Sequence, residues 1–313
     1  MFAPRAFETE FCIAGPLREP RQMLAAQEYG GHLSIHDDAT AERLGFAAGP
    51  IEGPTHFSQF VPLLVEVWGN RFFEHGSLSA HYQNACTEGD RVRAFAQRPT
   101  DDGVRRVRIW AEKADGTPVL TGTATLGPDH PASELDERMA RLRPPGRLQI
   151  LEDLRVGMKG AESEHVQMDF DQKMGDLYPF SLSQKLEKIT ESSPFYSQQG
   201  GALSPWKRPI IPWEMVSVLA EYTNRLARFP TKGPAIGLFA DQEIKMSAGP
   251  LFVGHAYTLE REIVALSESR RTESYWVRTR ILDSETGAAA AEMLLNHATL
   301  KESYAGYRDG SSP

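Results

Sequence analysis

Apolar residues recur at helical spacing in two places along this chain, and runs that alternate apolar and polar positions follow each. In the first place, Phe57, Phe60, Val61, Leu64, Val65 and Trp68 stand three or four residues apart, the period that lines one face of an α-helix. In the second, Met215, Val218, Leu219 and Tyr222 do the same. A helix with one apolar face buries that face, here against a sheet. Pro54 suits the first turn of its helix, where a missing N–H costs little. Pro62, farther inside, predicts a bend or a break.

The alternating runs read as antiparallel strands. Val107, Ile109 and Ala111 precede the turn ADGTP, and Val119, Thr121 and Thr123 follow it. Later, Tyr275, Val277, Thr279 and Ile281 precede the turn DSETG, and the run AAAAEMLL follows. That last run favours helix on propensity, but its place after the turn predicts a strand. The segment LSAHYQNACTEGDRVRAFAQ corresponds to LFADQEIKMSAGPLFVGHAYTLEREIV, with Gly89 matching Gly254.

The chain thus repeats itself. IHDDATAERLGFAAGPIEGPTH leads into the first helix and FYSQQGGALSPWKRPIIPWEM into the second; His36 precedes Glu52 by sixteen positions, as Tyr196 precedes Pro212. Each copy is an extended segment, a helix and several strands, an α+β layer arrangement. The organisation expected is an N-terminal unit over 1–127, a charged, Pro-bounded linker over 128–147 with a short helix in its middle, and a C-terminal unit over 148–313 restarting at ILEDLRVGM.

Bulk properties narrow the function. At 313 residues there is room for two cores. A net charge of −8 argues against a general nucleic-acid binder. Cys12 and Cys86 form no disulfide framework and no CxxC pair. No apolar run reaches the roughly 18 residues of a membrane span, and the N-terminus lacks the apolar core of a signal peptide; a cytoplasmic location is expected. His32 and His36 lack the intervening Glu of a zinc-protease motif, and no GxGxxG occurs, so neither a metal nor a nucleotide cofactor is expected.

EDLRVGM at the start of the second unit, a His before the central helix, an I-x-G turn at its start and GDRV opening a strand together resemble the MaoC-like dehydratases, the R-specific enoyl-CoA hydratase type. The resemblance covers nearly the whole chain and implies a double hotdog: two tandem units, each an antiparallel sheet wrapped around a central helix. It also implies a hydratase or dehydratase of enoyl-CoA or 3-hydroxyacyl-CoA thioesters, with CoA as part of the substrate and no other cofactor. A double-hotdog chain already contains the pseudo-dimer of single hotdogs, so a monomer or a homodimer is expected.

The family motif, Gly-Asp-x-Asn-Pro-(apolar)-His, overlays Gly30 to His36. His36 takes the place of the catalytic His, while Gly31 stands where the Asp belongs. Glu52 occupies the His position of the (apolar)-x-His-Gly turn. In the second copy Glu191 replaces the Asp and Tyr196 the His, and the helix starts at Ile211-Pro212-Trp213. Neither copy keeps the dyad intact.

Hydration of an unsaturated thioester needs a proton acceptor for water, a second group to orient water or serve the α-carbon, and donors for the enolate-like oxygen. His36 fits the first role because its ordinary pKa lies near neutrality. Glu52 is its expected partner and Asp37 the next candidate. Asp37 and Asp38 also suit the cap of a helix over ATAERLG, and Glu52 a solvated turn. The Gly53 N–H, at a helix N-terminus, is the expected oxyanion donor, and the missing side chain lets substrate approach. His56 either faces the cavity or packs at the helix end. Glu191 and Tyr196 are conceivable as acid and donor in the second copy, where Trp213 would fill the cavity. Phe195, Tyr196, Trp206 and Trp213 either line a widened acyl pocket or form plain core. Arg270 and Arg271, or Lys207 and Arg208, offer a basic rim for the CoA phosphates. Two alternatives stand beside hydration: an acyl-CoA thioesterase, and a non-catalytic hotdog protein that binds acyl thioesters or serves as a structural subunit.

Overall fold

A computed structural model describes residues 7–8, 11–29 and 32–308. The first half runs through β1 (Phe7–Glu8), β2 (Cys12–Ala14), a small ribbon of β3 (Glu28–Tyr29) and β4 (His32–Leu33), then α1 (Asp38–Arg43), α2 (Phe57–Trp68) and α3 (Arg71–His75). Strands β5 (Gly76–Tyr82), β6 (Val92–Gln97), β7 (Arg106–Lys113) and β8 (Pro118–Leu126) follow. After α4 (Glu134–Met139) come β9 (Glu164–Val166), α5 (Leu182–Leu186), α6 (Gln198–Ala202) and α7 (Trp213–Glu221). The chain closes with β10 (Gly237–Met246), β11 (Tyr257–Glu268), β12 (Thr272–Asp283) and β13 (Ala289–Leu300).

Among the described residues, eleven strands form one antiparallel sheet in the order β1-β2-β6-β7-β8-β5-β10-β13-β12-β11-β9. Read outward from the β5–β10 joint, the two sides match strand for strand: β5, β8, β7, β6 and β2 against β10, β13, β12, β11 and β9. The duplication seen in the sequence is therefore a duplication of topology. At the joint His81 pairs with Asp241 and Ser77 with Lys245. From Ala289 on, the run AAAAEMLL lies in β13, hydrogen-bonded to β10 on one side and β12 on the other. Partners on both edges override its helical propensity.

The central helices touch each other across the two halves. A 3-10 turn, Gly53–His56, with Pro54 at its start, feeds directly into α2. Of the bend or break expected at Pro62, the break does not occur: α2 continues through it. Burial of Phe57, Phe60, Val61, Leu63 and Leu64 offsets the hydrogen bond that proline removes. All nine residues of α7 are buried, Glu214 and Glu221 included, so its apolar stripe is only one side of an enclosed helix. The 128–147 segment carries the anticipated short helix, α4, with a Ser133/Asp136 capping box. It is docked: Leu135 packs with Trp276 and Leu294, Asp136 pairs with Lys245 at 3.0 Å and Arg138 with Asp241 at 3.2 Å. No helix of the described residues is long and apolar enough to cross a membrane.

Candidate active site

The loop that carries the candidate residues is held at each step. Asp37 is the N-cap of α1, its Oδ1 accepting from Thr40 N at 2.8 Å. Asp38 Oδ1 accepts from Gly49 N at 2.8 Å. Gly49 has no room for a side chain, since a Cβ there would stand 2.2 Å from His36 O. The His36 Nδ1 lies 2.6 Å from Pro50 O. A carbonyl only accepts, so Nδ1 carries the hydrogen and donates, and Nε2 is left as an acceptor with no hydrogen-bond partner among the described residues. Burial pushes His36 down to about 4, against the opposing pull of Pro50 O; near neutrality the ring is uncharged.

Ile51 N donates to Cys86 O at 2.7 Å, which presents Glu52 at the start of the helix. Glu52 is only 6% exposed, and its Oε1 has no hydrogen-bond partner among the described residues. Burial raises its carboxyl to about 7, with Lys185 opposing and Glu214 adding to the rise. Near-neutral titration, expected of His36, thus belongs to Glu52. Desolvation drives both shifts, because it penalises whichever form is charged.

The Gly53 N–H opens the helix and meets no acceptor among the described residues. The space beside Gly53 belongs to Tyr82: a Cβ would lie 2.5 Å from its Cζ. A glycine is required there by protein packing, where the sequence suggested room for substrate. His56 is buried with Nδ1 unpartnered among the described residues, and burial followed by the Lys185 charge pushes it down to about 4. Lys185, on α5, reaches beneath this turn, 3.2 Å from Thr55 Oγ1 and 3.2 Å from Glu214 Oε1.

His36, Glu52, Gly53 and His56 line one cavity of about 470 Å³, whose remaining wall comes from both halves, Tyr29 and Tyr82 from the first and Tyr178, Tyr275 and His297 from the second. The other anticipated residues stand elsewhere. Asp37 points its carboxylate into the α1 cap. Glu191 is bound by Arg18, with Nε–Oε1 at 2.6 Å and Nη2–Oε2 at 3.1 Å. Tyr196 is buried and its hydroxyl has no partner among the described residues. Trp213 stacks on Phe72 at 4.7 Å, and Phe195, Trp206 and Phe73 form an edge-on cluster, so these aromatics are core. Gly30 and Gly31, which overlay the Gly-Asp of the motif, lie outside the described residues.

None of the anticipated basic-rim residues is among the described lining residues. Arg271 is bonded to Leu44 O and Glu302, and Arg208 covers the Phe252 ring at 4.5 Å. Among the described lining residues Lys232 alone is permanently cationic, and it pairs with Glu152. No group of three or more His, Cys, Asp or Glu side chains among the described residues is placed to hold a metal.

Several cavity residues escaped the sequence reading. Tyr82 shares the inward phase of β5 with Leu78 and Ala80, and Tyr275 that of β12 with Val277 and Thr279; period-two counting was a usable signal for both. Tyr29 and Tyr178 carried none, because only the folded chain brings them here.

No protein-family model and no curated protein sequence matches the chain. Solved structures do. A MaoC domain protein of the dehydratase type from Chloroflexus aurantiacus J-10-fl superposes with a TM-score of 0.54 at 15% identity, covering 94% of this chain and 95% of that one. A MaoC-like dehydratase superposes with a TM-score of 0.50 at 13% identity, over 93% and 97% of the two chains. A double-hotdog protein from Mycobacterium tuberculosis aligns with a TM-score of 0.49 at 10% identity, over 84% and 86%. With its matching half-sheets and paired central helices, the chain has the double-hotdog fold found in MaoC-like dehydratases.

Proposed function

We propose that this protein adds water to, or removes it from, an acyl thioester: an enoyl thioester in one direction and a 3-hydroxyacyl thioester in the other, most naturally of CoA. One observation carries the reading. A neutral histidine acceptor, a buried carboxyl that titrates near 7 and a helix-terminal N–H with no acceptor among the described residues all belong to the lining of one cavity.

In this scheme His36 Nε2 accepts a hydrogen bond from the water and orients it. The Glu52 carboxylate takes a proton from that water as its oxygen bonds to the β-carbon. The electron pair of the double bond moves toward the thioester carbonyl, whose oxygen the Gly53 N–H stabilises. Glu52 then returns the proton to the α-carbon, and the enolate collapses to the saturated thioester. A carboxyl titrating near the operating pH is suited to both transfers. The helix N-terminus favours the developing negative charge.

The test is mass spectrometry of the protein incubated with short, branched, aromatic and long enoyl-CoAs, beside His36→Ala and Glu52→Gln. A product heavier by one water, lost in both variants, supports hydration at this site. Free CoA thiol would move the reading to thioester hydrolysis. Unchanged substrates across the panel would favour a non-catalytic acyl-thioester binder.

A further inference from the structure

We propose that the site selects thioesters whose acyl group carries an uncharged oxygen function, a hydroxyl or a carbonyl, bound by the hydroxyls of Tyr29 and Tyr275. The proposal rests on the reading above for the thioester end of the ligand; the selectivity rests on the two halves together, Tyr29 from the first and Tyr275 from the second.

Four tyrosines line the cavity. Two are already engaged: the Tyr82 hydroxyl donates to Gln242 Oε1 at 3.0 Å, and that of Tyr178 is adjacent to the Glu52 carboxylate. The hydroxyls of Tyr29 and Tyr275 have no acceptor among the described residues. Burial, then the charge of Glu221, pushes both phenols upward, so they are neutral donors. Their rings are held in place. Tyr275 stacks on His297 at 4.8 Å and 9° between planes, and Phe239 meets His297 edge-on at 5.6 Å. The Arg225 guanidinium lies 5.7 Å from the Tyr29 ring centre, anchored by a 2.6 Å bond to Glu28 O. Donors fixed before binding lose little freedom when a ligand arrives.

Charge then decides what they take. Glu221 accepts from Arg261 at 2.9 Å and from Asn224 at 3.0 Å, and the His297 ring, whose pKa burial lowers, stands 3.5 Å away. Arg261 is in turn consumed by Glu164, Glu221 and Thr279. An acyl carboxylate would therefore meet the field of Glu52 and Glu221 with no free cation among the described lining residues. A plain hydrocarbon tail would leave two phenol donors dry, which buried polar groups resist. An uncharged oxygen satisfies both conditions.

The experiment compares matched pairs: para-hydroxycinnamoyl-CoA against cinnamoyl-CoA, and a ketone-bearing hexenoyl-CoA against hexenoyl-CoA, with fumaryl-CoA as the anionic comparator. kcat/KM is measured on each, and Kd by calorimetry on their saturated, unreactive counterparts. The oxygenated member of at least one pair is expected to be favoured about tenfold or more, with fumaryl-CoA the poorest. In the Tyr29→Phe/Tyr275→Phe variant, checked for folding by circular dichroism, the ratio should fall to about one. A ratio near one in the unaltered protein, a preference that survives the double substitution, or a preference for fumaryl-CoA would each overturn the proposal. Absence of turnover would count against hydration alone, because the calorimetric ratios still report the selectivity.

Discussion

The ring of Tyr82 fills the place where Gly53 would carry a side chain: a Cβ on Gly53 would lie 2.5, 2.6 and 2.8 Å from Tyr82 Cζ, Cε1 and Cε2. The hydroxyl end of that ring is tied to Gln242, in the other half of the molecule, at 3.0 Å. The candidate oxyanion donor and the joint between the halves are thus mechanically linked. Gly53→Ala must displace Tyr82 or the helix start. Overpacking of this kind costs about 1–3 kcal/mol. Thermal denaturation should show that loss, and kcat/KM on any turned-over thioester should fall at least about tenfold. An alanine variant as stable and active as the parent would mean that Tyr82 moves freely.

Glu52 gives stability a pH dependence of definite sign. Its carboxyl rises from 4.5 to about 7 on folding, so between those values the folded state holds more protons than the unfolded one. Stability should therefore be greatest below pH 4.5 as far as this group is concerned, and decline as pH rises through 7. The difference is bounded at about 3 kcal/mol. Glu243 is raised to about 7 as well, so the comparison is with Glu52→Gln rather than across pH alone. Urea unfolding at several pH values should show the variant gaining on the parent from pH 5 to pH 8. A constant difference would place the Glu52 titration outside that window.

His36 should remain neutral throughout the same range. With its folded-state value near 4, its ring resonances in a two-dimensional NMR spectrum should stay flat from pH 8 to about 5.5. The pattern should be that of an Nδ1-protonated tautomer. A midpoint near 6.5 would show that solvent reaches the ring far more than its contact with Pro50 implies.

Lys185 joins the two central helices through Thr55 and Glu214, with only 4% and 1% of the two charged side chains exposed. Lys185→Met leaves Glu214 buried without its counter-charge, a change that costs about 3–5 kcal/mol. Adding Glu214→Gln should recover much of that loss in denaturant titrations. The apparent Glu52 pKa should move upward in Lys185→Met, because the cation that opposes its rise is gone. Additive effects of the two substitutions would show that the pair does not interact.

Much of the fold was legible in local pattern. Period-two alternation placed the strands through Val107 and Val119 and through Tyr275, and helical spacing placed α2 and α7. The offset between His36/Glu52 and Tyr196/Pro212 disclosed the repeat. The site was legible in part: His36, Glu52, Gly53 and His56 follow one another along a single loop and helix start, so chain connectivity alone keeps them together. Asp37 was ambiguous in sequence because a cap and a catalytic carboxylate use the same residue type; its bond to Thr40 N assigns it to the cap.

By itself, then, the sequence determined two copies of a helix-and-strand unit and a short run of chemistry-bearing residues in the first, since periodicity and spacing are local properties of a chain. Tertiary structure decided which groups titrate near neutrality, that Trp213 of the second copy packs against Phe72 of the first, and that Tyr29, Tyr178 and Tyr275 complete the cavity. Burial and the field of distant charges set protonation, and neither exists until residues more than a hundred positions apart have been brought into contact.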